Sequence, residues 1–215
     1  MTHRTYFIEA IRLLFVLTVG SETTRIKTRG EAAVFSGETR LNAWDFWMRY
    51  PDYLADELIE RYDVTGEDDM LAKAEKIFVD NEPDQRRLVM IRYRFGAYEK
   101  HDDALAVLVS RGLIGIGGRK DVDRIRETDF LIFKEAFDLC SQIVKDEPVL
   151  IWYRDRAELV HLIADHRSGY ALKKRQYERI EYATTLLGGE IPSIEADVKM
   201  RLEQRLKRPV GGSAA

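Results

Sequence analysis

The stretch Arg111–Phe133, RGLIGIGGRKDVDRIRETDFLIF, constrains the fold more than any other part of this chain. Just before it, Leu105, Leu108 and Val109 recur at helical spacing, and Gly112 stands where a helix ending in a left-handed residue needs glycine. A short apolar strand, Leu113–Ile116, then runs into Gly117-Gly118-Arg119-Lys120, whose glycines suit a tight hairpin turn. An alternating strand follows, with Thr128, Phe130 and Ile132 on one face. Helix, strand, basic turn and strand form the closing portion of a winged helix. The predicted fold class is therefore mainly α with a small β-ribbon, a winged-helix-like domain with additional helices.

The 215 residues are long enough to bury a substantial core, and with a net charge of −3 the chain as a whole exerts no pull on nucleic acid or acidic membranes. Charge is distributed unevenly, however. Residues 42–84 hold 13 acidic and 4 basic side chains, whereas residues 85–126 hold 10 basic and 5 acidic. One segment repels a phosphate backbone and the other tolerates it. The single cysteine, Cys140, lies at helical spacing from Phe133, Phe137 and Val144, so it reads as a small buried hydrophobe in a reducing compartment. Glu9 and Arg12 interrupt the approach to the apolar run at Leu13–Val19, which is too short to span a bilayer, so a cytoplasmic protein without a membrane anchor is expected.

Residues 5–18 read as a helix buried on nearly all sides, and residues 20–40 as a loop or an irregular hairpin punctuated by Gly30 and Gly37. Trp44, Phe46, Trp47 and Tyr50 crowd one helix, and Pro51 stops it and starts the next. Such a cluster packs a core, or it anchors a partner, and Trp44, Trp47 and Tyr50 are the partner-binding candidates under the second reading. Near the C-terminus Ile194, Val198, Leu202 and Leu206 repeat every four residues behind Ser193. So narrow a stripe suits docking on one surface, either the chain's own or a partner's, and Ile194, Val198 and Leu202 join the candidates. Residues 1–165 are expected to form the winged-helix-containing domain, 166–208 a linker with a docking helix, and 209–215 a disordered tail.

No catalytic pattern emerges. Gly115, Gly117 and Gly118 precede Arg119 and Lys120, but no Ser or Thr follows and the next element reads as a strand, so they do not make a nucleotide-binding loop. His161 and His166 stand five apart and do not share a helical face, which argues against a metal pair. Pro-Asp at residues 51–52 and 83–84 lacks the strand-borne acid and lysine of a metal-dependent nuclease. The expectation is a non-enzyme with no cofactor and no bound metal. Arg119, Lys120, Arg124 and Arg126 are the nucleic-acid-binding candidates, since the tip and second strand of a wing meet phosphates. The helix that would enter a major groove offers His101, Asp102, Asp103 and Ser110, a poor set for reading bases.

Residues 41–55, LNAWDFWMRYPDYLA, and residues 92–98, RYRFGAY, leading on to RGLI at 111–114, resemble the middle, accessory component of ABC-three-component systems, the Lamassu-type antiphage operons. Where those proteins often carry Pro-Trp after the glycine step, this chain has Ala97 and Tyr98. The resemblance covers roughly residues 41–114. It implies a non-catalytic subunit with a winged-helix-like fold that binds an SMC-like ABC ATPase and an effector subunit and couples DNA sensing to that effector. The alternative is a winged-helix regulator that touches DNA non-specifically through its basic wing.

Overall fold

The computed structural model describes residues 3–25, 27–82, 89–93, 96–98, 100–121 and 124–211, with side chains for all of these but 3–5, 119–121 and 124–127. The chain is mainly helical with a small antiparallel sheet. It divides into two units, each assembled from two stretches: Met1–Asp45 with Glu99–Lys173, and Phe46–Tyr98 with Lys174–Ala215. The expected boundary at residue 165 differs from this division, because the second unit begins as an insertion inside the first. Of the expected disordered tail, residues 212–215 lie outside the described residues.

In the first unit, α1 (His3–Gly20) leads to β1 (Glu22–Thr23), β2 (Ala33–Ser36) and α2 (Glu38–Arg49), whose residues up to Asp45 belong here. Numbering the intervening elements of the second unit in chain order, those are α3 (Pro51–Thr65), α4 (Asp68–Val79), β3 (Ile91–Tyr93) and β4 (Gly96–Tyr98). The first unit resumes with α5 (Asp102–Ser110), β5 (Ile114–Asp121), β6 (Arg124–Ile132), α6 (Lys134–Asp146) and α7 (Ile151–Ala164), the last entered through a single 3₁₀ turn at Pro148–Leu150. α8 (Gly169–Gln176), α9 (Ile180–Thr184) and α10 (Glu195–Leu206) complete the chain.

The sheet of the first unit runs β1-β2-β6-β5, antiparallel throughout. Its central pairing joins β2 to β6 across almost a hundred residues, with Ala33 opposite Ile132 and Phe35 opposite Phe130. All four side chains are buried, as expected when the inward face of each strand carries the apolar residues. The segment after α1 is thus a hairpin whose second strand belongs to the main sheet. Gly112 ends α5 at φ 68°, in the left-handed conformation anticipated for it.

The hairpin turn, by contrast, is not at Gly117–Lys120. β5 continues through those residues, and Asp121 still pairs with Arg124 of β6. The glycines serve side-chain packing instead. Gly115 and Gly117 share one face of β5, and a Cβ on them would lie 3.4 Å from the Phe133 and Leu131 side chains respectively. Small residues there let the neighbouring side chains lean across the strand.

α1 packs against α5 and α7, and its buried face carries an ionic group into the core. Arg12 Nε donates to Asp45 Oδ1 at 2.6 Å, with both residues buried, and His101 Nε2 lies 3.7 Å from the other Asp45 oxygen. One carboxylate on α2 therefore meets groups from α1 and from the start of α5. Around it, Phe35 meets Trp44 edge to face at 5.6 Å, and Trp44 lies against His161 of α7.

In the second unit, Pro51 opens α3 with φ pre-set for a helix, and Gly66 closes it at φ 71° with its N–H on Tyr62 O. β3 and β4 pair as a short ribbon, with Ile91 opposite Tyr98 and Tyr93 opposite Gly96. Tyr50 Oη accepts from Met90 N at 2.8 Å and donates to Ile191 O at 3.1 Å, tying three separate stretches of this unit together. α10 lies on α3 and α4 and buries Ile194, Val198 and Leu202.

Substituting Arg12→Met would leave the buried Asp45 carboxylate without its guanidinium, and is expected to destabilise the chain by about 3–5 kcal/mol. Urea unfolding of the two proteins measures this; a loss well under 1 kcal/mol would mean that Asp45 is held by other groups.

Candidate functional site

The element singled out by the sequence, α5 with the β5–β6 ribbon, presents two different surfaces. On α5, Ala104 and Leu108 point into the core, which fixes the outward face as Asp102, Asp103, Ala106, Val109 and Ser110. Lys100 Nζ approaches Asp102 at 3.4 Å, but both groups are largely exposed and such a pair contributes little. The face is acidic at its start and apolar at its end. A carboxylate about 6 Å from a phosphate costs about 0.7 kcal/mol even at the dielectric constant of water, and two of them head this helix. It offers no Arg, Asn or Gln with which to read a base edge.

The ribbon carries the basic candidates. Arg119 and Lys120 occupy the far end of β5, and Arg124 and Arg126 the near end of β6; the pairing shifts register between Arg119 and Lys120, which leaves Arg126 as the extra residue of a bulge. Backbone register thus gathers all four at the tip of one ribbon. Their side chains lie outside the described residues. Lower on β5, Ile116 is half exposed.

The six partner-binding candidates have a different fate. Trp44, Trp47 and Tyr50 are at most 1% exposed, and Ile194, Val198 and Leu202 at most 4%, so the chain's own packing consumes every one. Of the two readings that the sequence allowed for each group, their burial fits the core. The physical reason is length: from Leu41 to Tyr50 nearly every face of the helix is covered, and an all-round covered helix has no face left to offer. Burying Val198 and Leu202 alone contributes roughly 3–6 kcal/mol of transfer free energy.

What the sequence did not disclose is an ionic ladder in the second unit. Asp56, Glu57, Glu60 and Asp63 of α3 face arginines from the C-terminal stretch. Asp56, only 1% exposed, is bonded by both Arg179 and Arg201; Arg175 Nε reaches Glu57 at 2.7 Å, Arg201 Nη2 reaches Glu60 at 2.7 Å, and Arg205 takes Asp63 with two bonds. Asp52, wholly buried, accepts from Ser193 Oγ and Ile194 N and so fixes the start of α10. Beyond the ladder, Arg208 grips Glu75 of α4. The signal was present as matching four-residue spacings, Asp52-Asp56-Glu60 against Arg175-Arg179 and Arg201-Arg205. Much of the acidic charge of residues 42–84 is therefore neutralised within this unit.

Elsewhere, the Cys140 thiol is half-buried, 3.5 Å from Thr18 Oγ1, and burial pushes it up to about 11, which makes it unreactive at neutral pH. It borders an apolar cavity of about 340 Å³ with Phe15, Val19, Phe137 and Val144. Among the described residues no group of three or more His, Cys, Asp and Glu is placed to hold a metal ion, and no helix is long and apolar enough to cross a membrane. No family model, curated protein or solved structure matches the chain.

The Arg205 side chain holds the Asp63 carboxyl below its ordinary value of 3.8, and Arg208 holds that of Glu75 below 4.5. Carboxyls lowered on folding contribute stability that is fully present above these values and is lost as pH falls through the lower, folded ones. Unfolding between pH 6 and pH 2 is therefore expected to show acid loss of stability that shrinks in the double variant Arg205→Ala, Arg208→Ala. An unchanged acid limb in that variant would remove these pairs from the account.

Proposed function

We propose that the first unit is a winged helix and that this chain is a non-catalytic accessory subunit which uses it to contact protein. The topology supports the fold: helix α1, strand β2, helix α2, helix α5, then β5 and β6, with β2 beside β6 in the sheet. That is the order of a three-helix winged helix, with the first stretch of the second unit, Phe46–Tyr98, inserted between its second and third helices. α5 takes the place of the recognition helix.

One observation carries the choice of ligand. The outward face of α5 is Asp102, Asp103, Ala106, Val109 and Ser110, which repels phosphates and cannot read bases, yet offers an apolar end suited to a protein groove. The partner is then the one that the resemblance of residues 41–114 implies, an SMC-like ABC ATPase in a cytoplasmic antiphage complex that also holds an effector. In this arrangement the ATPase senses DNA and the subunit couples that event to the effector. The competing reading, a regulator bound to DNA by Arg119, Lys120, Arg124 and Arg126, draws on the basic end of the ribbon and is opposed by the helix beside it.

The test is affinity purification of the tagged chain from the cells that encode it, with nuclease treatment, against the exposed double variant Ala106→Arg, Val109→Asp. The wild type is expected to retain a stoichiometric SMC-like ATPase that the variant loses by at least about tenfold, the scale of a single interface anchor. Recovery of the chain alone, or of an ATPase that the variant keeps in full, would defeat the proposal.

A further inference from the structure

Arg40 is the most unusual charged side chain of the first unit. It is 8% exposed, its Nε has no hydrogen-bond acceptor, and among the described residues no carboxylate stands within ion-pair distance of it. Its guanidinium carbon lies 4.9 Å from the Phe35 centroid and 5.1 Å from that of Trp44, two rings that themselves meet edge to face. These ring contacts attract the cation without using any of its N–H donors. Burying a cation costs several kcal/mol unless a counter-charge meets it, and here stacking supplies only part of that.

Arg40 lines a polar cavity of about 570 Å³. Two helices begin at its wall. α2 starts at Glu38 after Gly37, which is held at φ 94° with its N–H on Thr128 O, and α8 starts at Gly169. They begin very close together: a Cβ on Gly169 would come within 2.6 Å of Arg40 N. Each helix start carries roughly half a positive charge; Ser168 Oγ caps only Ala171 N of α8, so an anion beside Arg40 would meet favourable potential from both helix starts. Ser36, Thr39, Thr128 and Ser168 add hydroxyls to the same wall.

The carboxylates that face the cavity are Glu22 and Glu38, and both are exposed. Glu22 favours the charged form of Arg40 from a distance, against the larger effect of burial. Water screens these two anions, whereas the guanidinium is buried, so the charge of Arg40 is the least screened of those at the cavity. His166, with its ring at the rim, can add a further donor.

From this geometry we infer that the cavity binds the phosphate group of a small phosphomonoester, with Arg40 as its anchor and the first-turn amides of α2 and α8 as further donors. A phosphate dianion presents three terminal oxygens, which matches a planar guanidinium edge, two helix starts and several hydroxyls. A carboxylate, with two oxygens, would leave donors unmet. The volume leaves room for the organic part of the molecule. The site lies wholly within the first unit and stands independently of the proposed partner.

Proton–nitrogen NMR titration of the full chain with inorganic phosphate, against chloride at equal ionic strength, tests this directly. Saturating shifts are expected at the Arg40 Nε–H and at the amides of Thr39, Arg40, Gly169 and Tyr170, in the wild type without any substitution. AMP and glucose 6-phosphate, titrated in the same way, distinguish a nucleotide from a sugar phosphate as the source. Arg40→Met is expected to abolish the shifts at Gly169 and Tyr170; should that variant unfold, Thr128→Val, which alters one wall hydroxyl, is expected to weaken phosphate binding several-fold. Shifts no larger than those with chloride, or shifts that Thr128→Val and Arg40→Met both leave untouched, would overturn the site.

Discussion

The first unit depends on one buried carboxylate. Asp45 has no solvent exposure, accepts a 2.6 Å bond from Arg12 on α1 and lies near His101 at the start of α5, so three helices far apart in sequence converge on one charge. An apolar core alone tolerates many ways of rotating helices against each other. A buried ion does not, because any arrangement that parts it from its guanidinium exposes the cost of an unpaired charge. The β2–β6 ladder adds the second constraint, fixing which face of each strand is inward. Between them they hold α5 and the ribbon in place although the chain leaves the first unit at Phe46 and returns to it only at Glu99.

The second unit is organised by charge in another way. α3 places carboxylates every three or four residues, and the arginines of α8, α10 and the segments around them meet those carboxylates one after another. Several of these pairs are partly buried and share partners, a network rather than isolated surface pairs, which is the arrangement in which ion pairs contribute measurably. It also explains why the two stretches of this unit, separated by the third helix and ribbon of the first, stay together: α10 contributes both the apolar stripe and the cations.

The sequence disclosed most where a pattern was local. The end of α5 at Gly112, the start of α3 at Pro51 and the stripe of α10 each follow from short-range rules, and each stands where those rules put it. The ribbon turn was misplaced because paired glycines mark tight turns and also occur inside strands, and only the pairing of β5 with β6 tells the two apart. Trp44, Trp47 and Tyr50 could not be assigned to core or surface from composition, since burial depends on elements from distant parts of the chain. Arg40 left no trace at all. A lone arginine at the end of a polar segment looks like any surface cation until Phe35 and Trp44 close over it.

In the proposed winged helix, α5, in the place of the recognition helix, is acidic and apolar on its outward face, while the end of the ribbon carries basic residues. Those two surfaces make opposite demands on a ligand, and the magnitudes favour the helix. Cations at a ribbon tip add a salt-dependent attraction, but a duplex docked on them also meets Asp102 and Asp103 and gains no base contact. Fluorescence anisotropy of a labelled duplex, titrated with the purified chain from low to physiological salt, confronts the claim most directly. The account predicts no saturable binding at micromolar protein even in low salt. Binding that is tight there and weakens with a steep logarithmic dependence on salt would contradict it, and would make the basic ribbon the working surface.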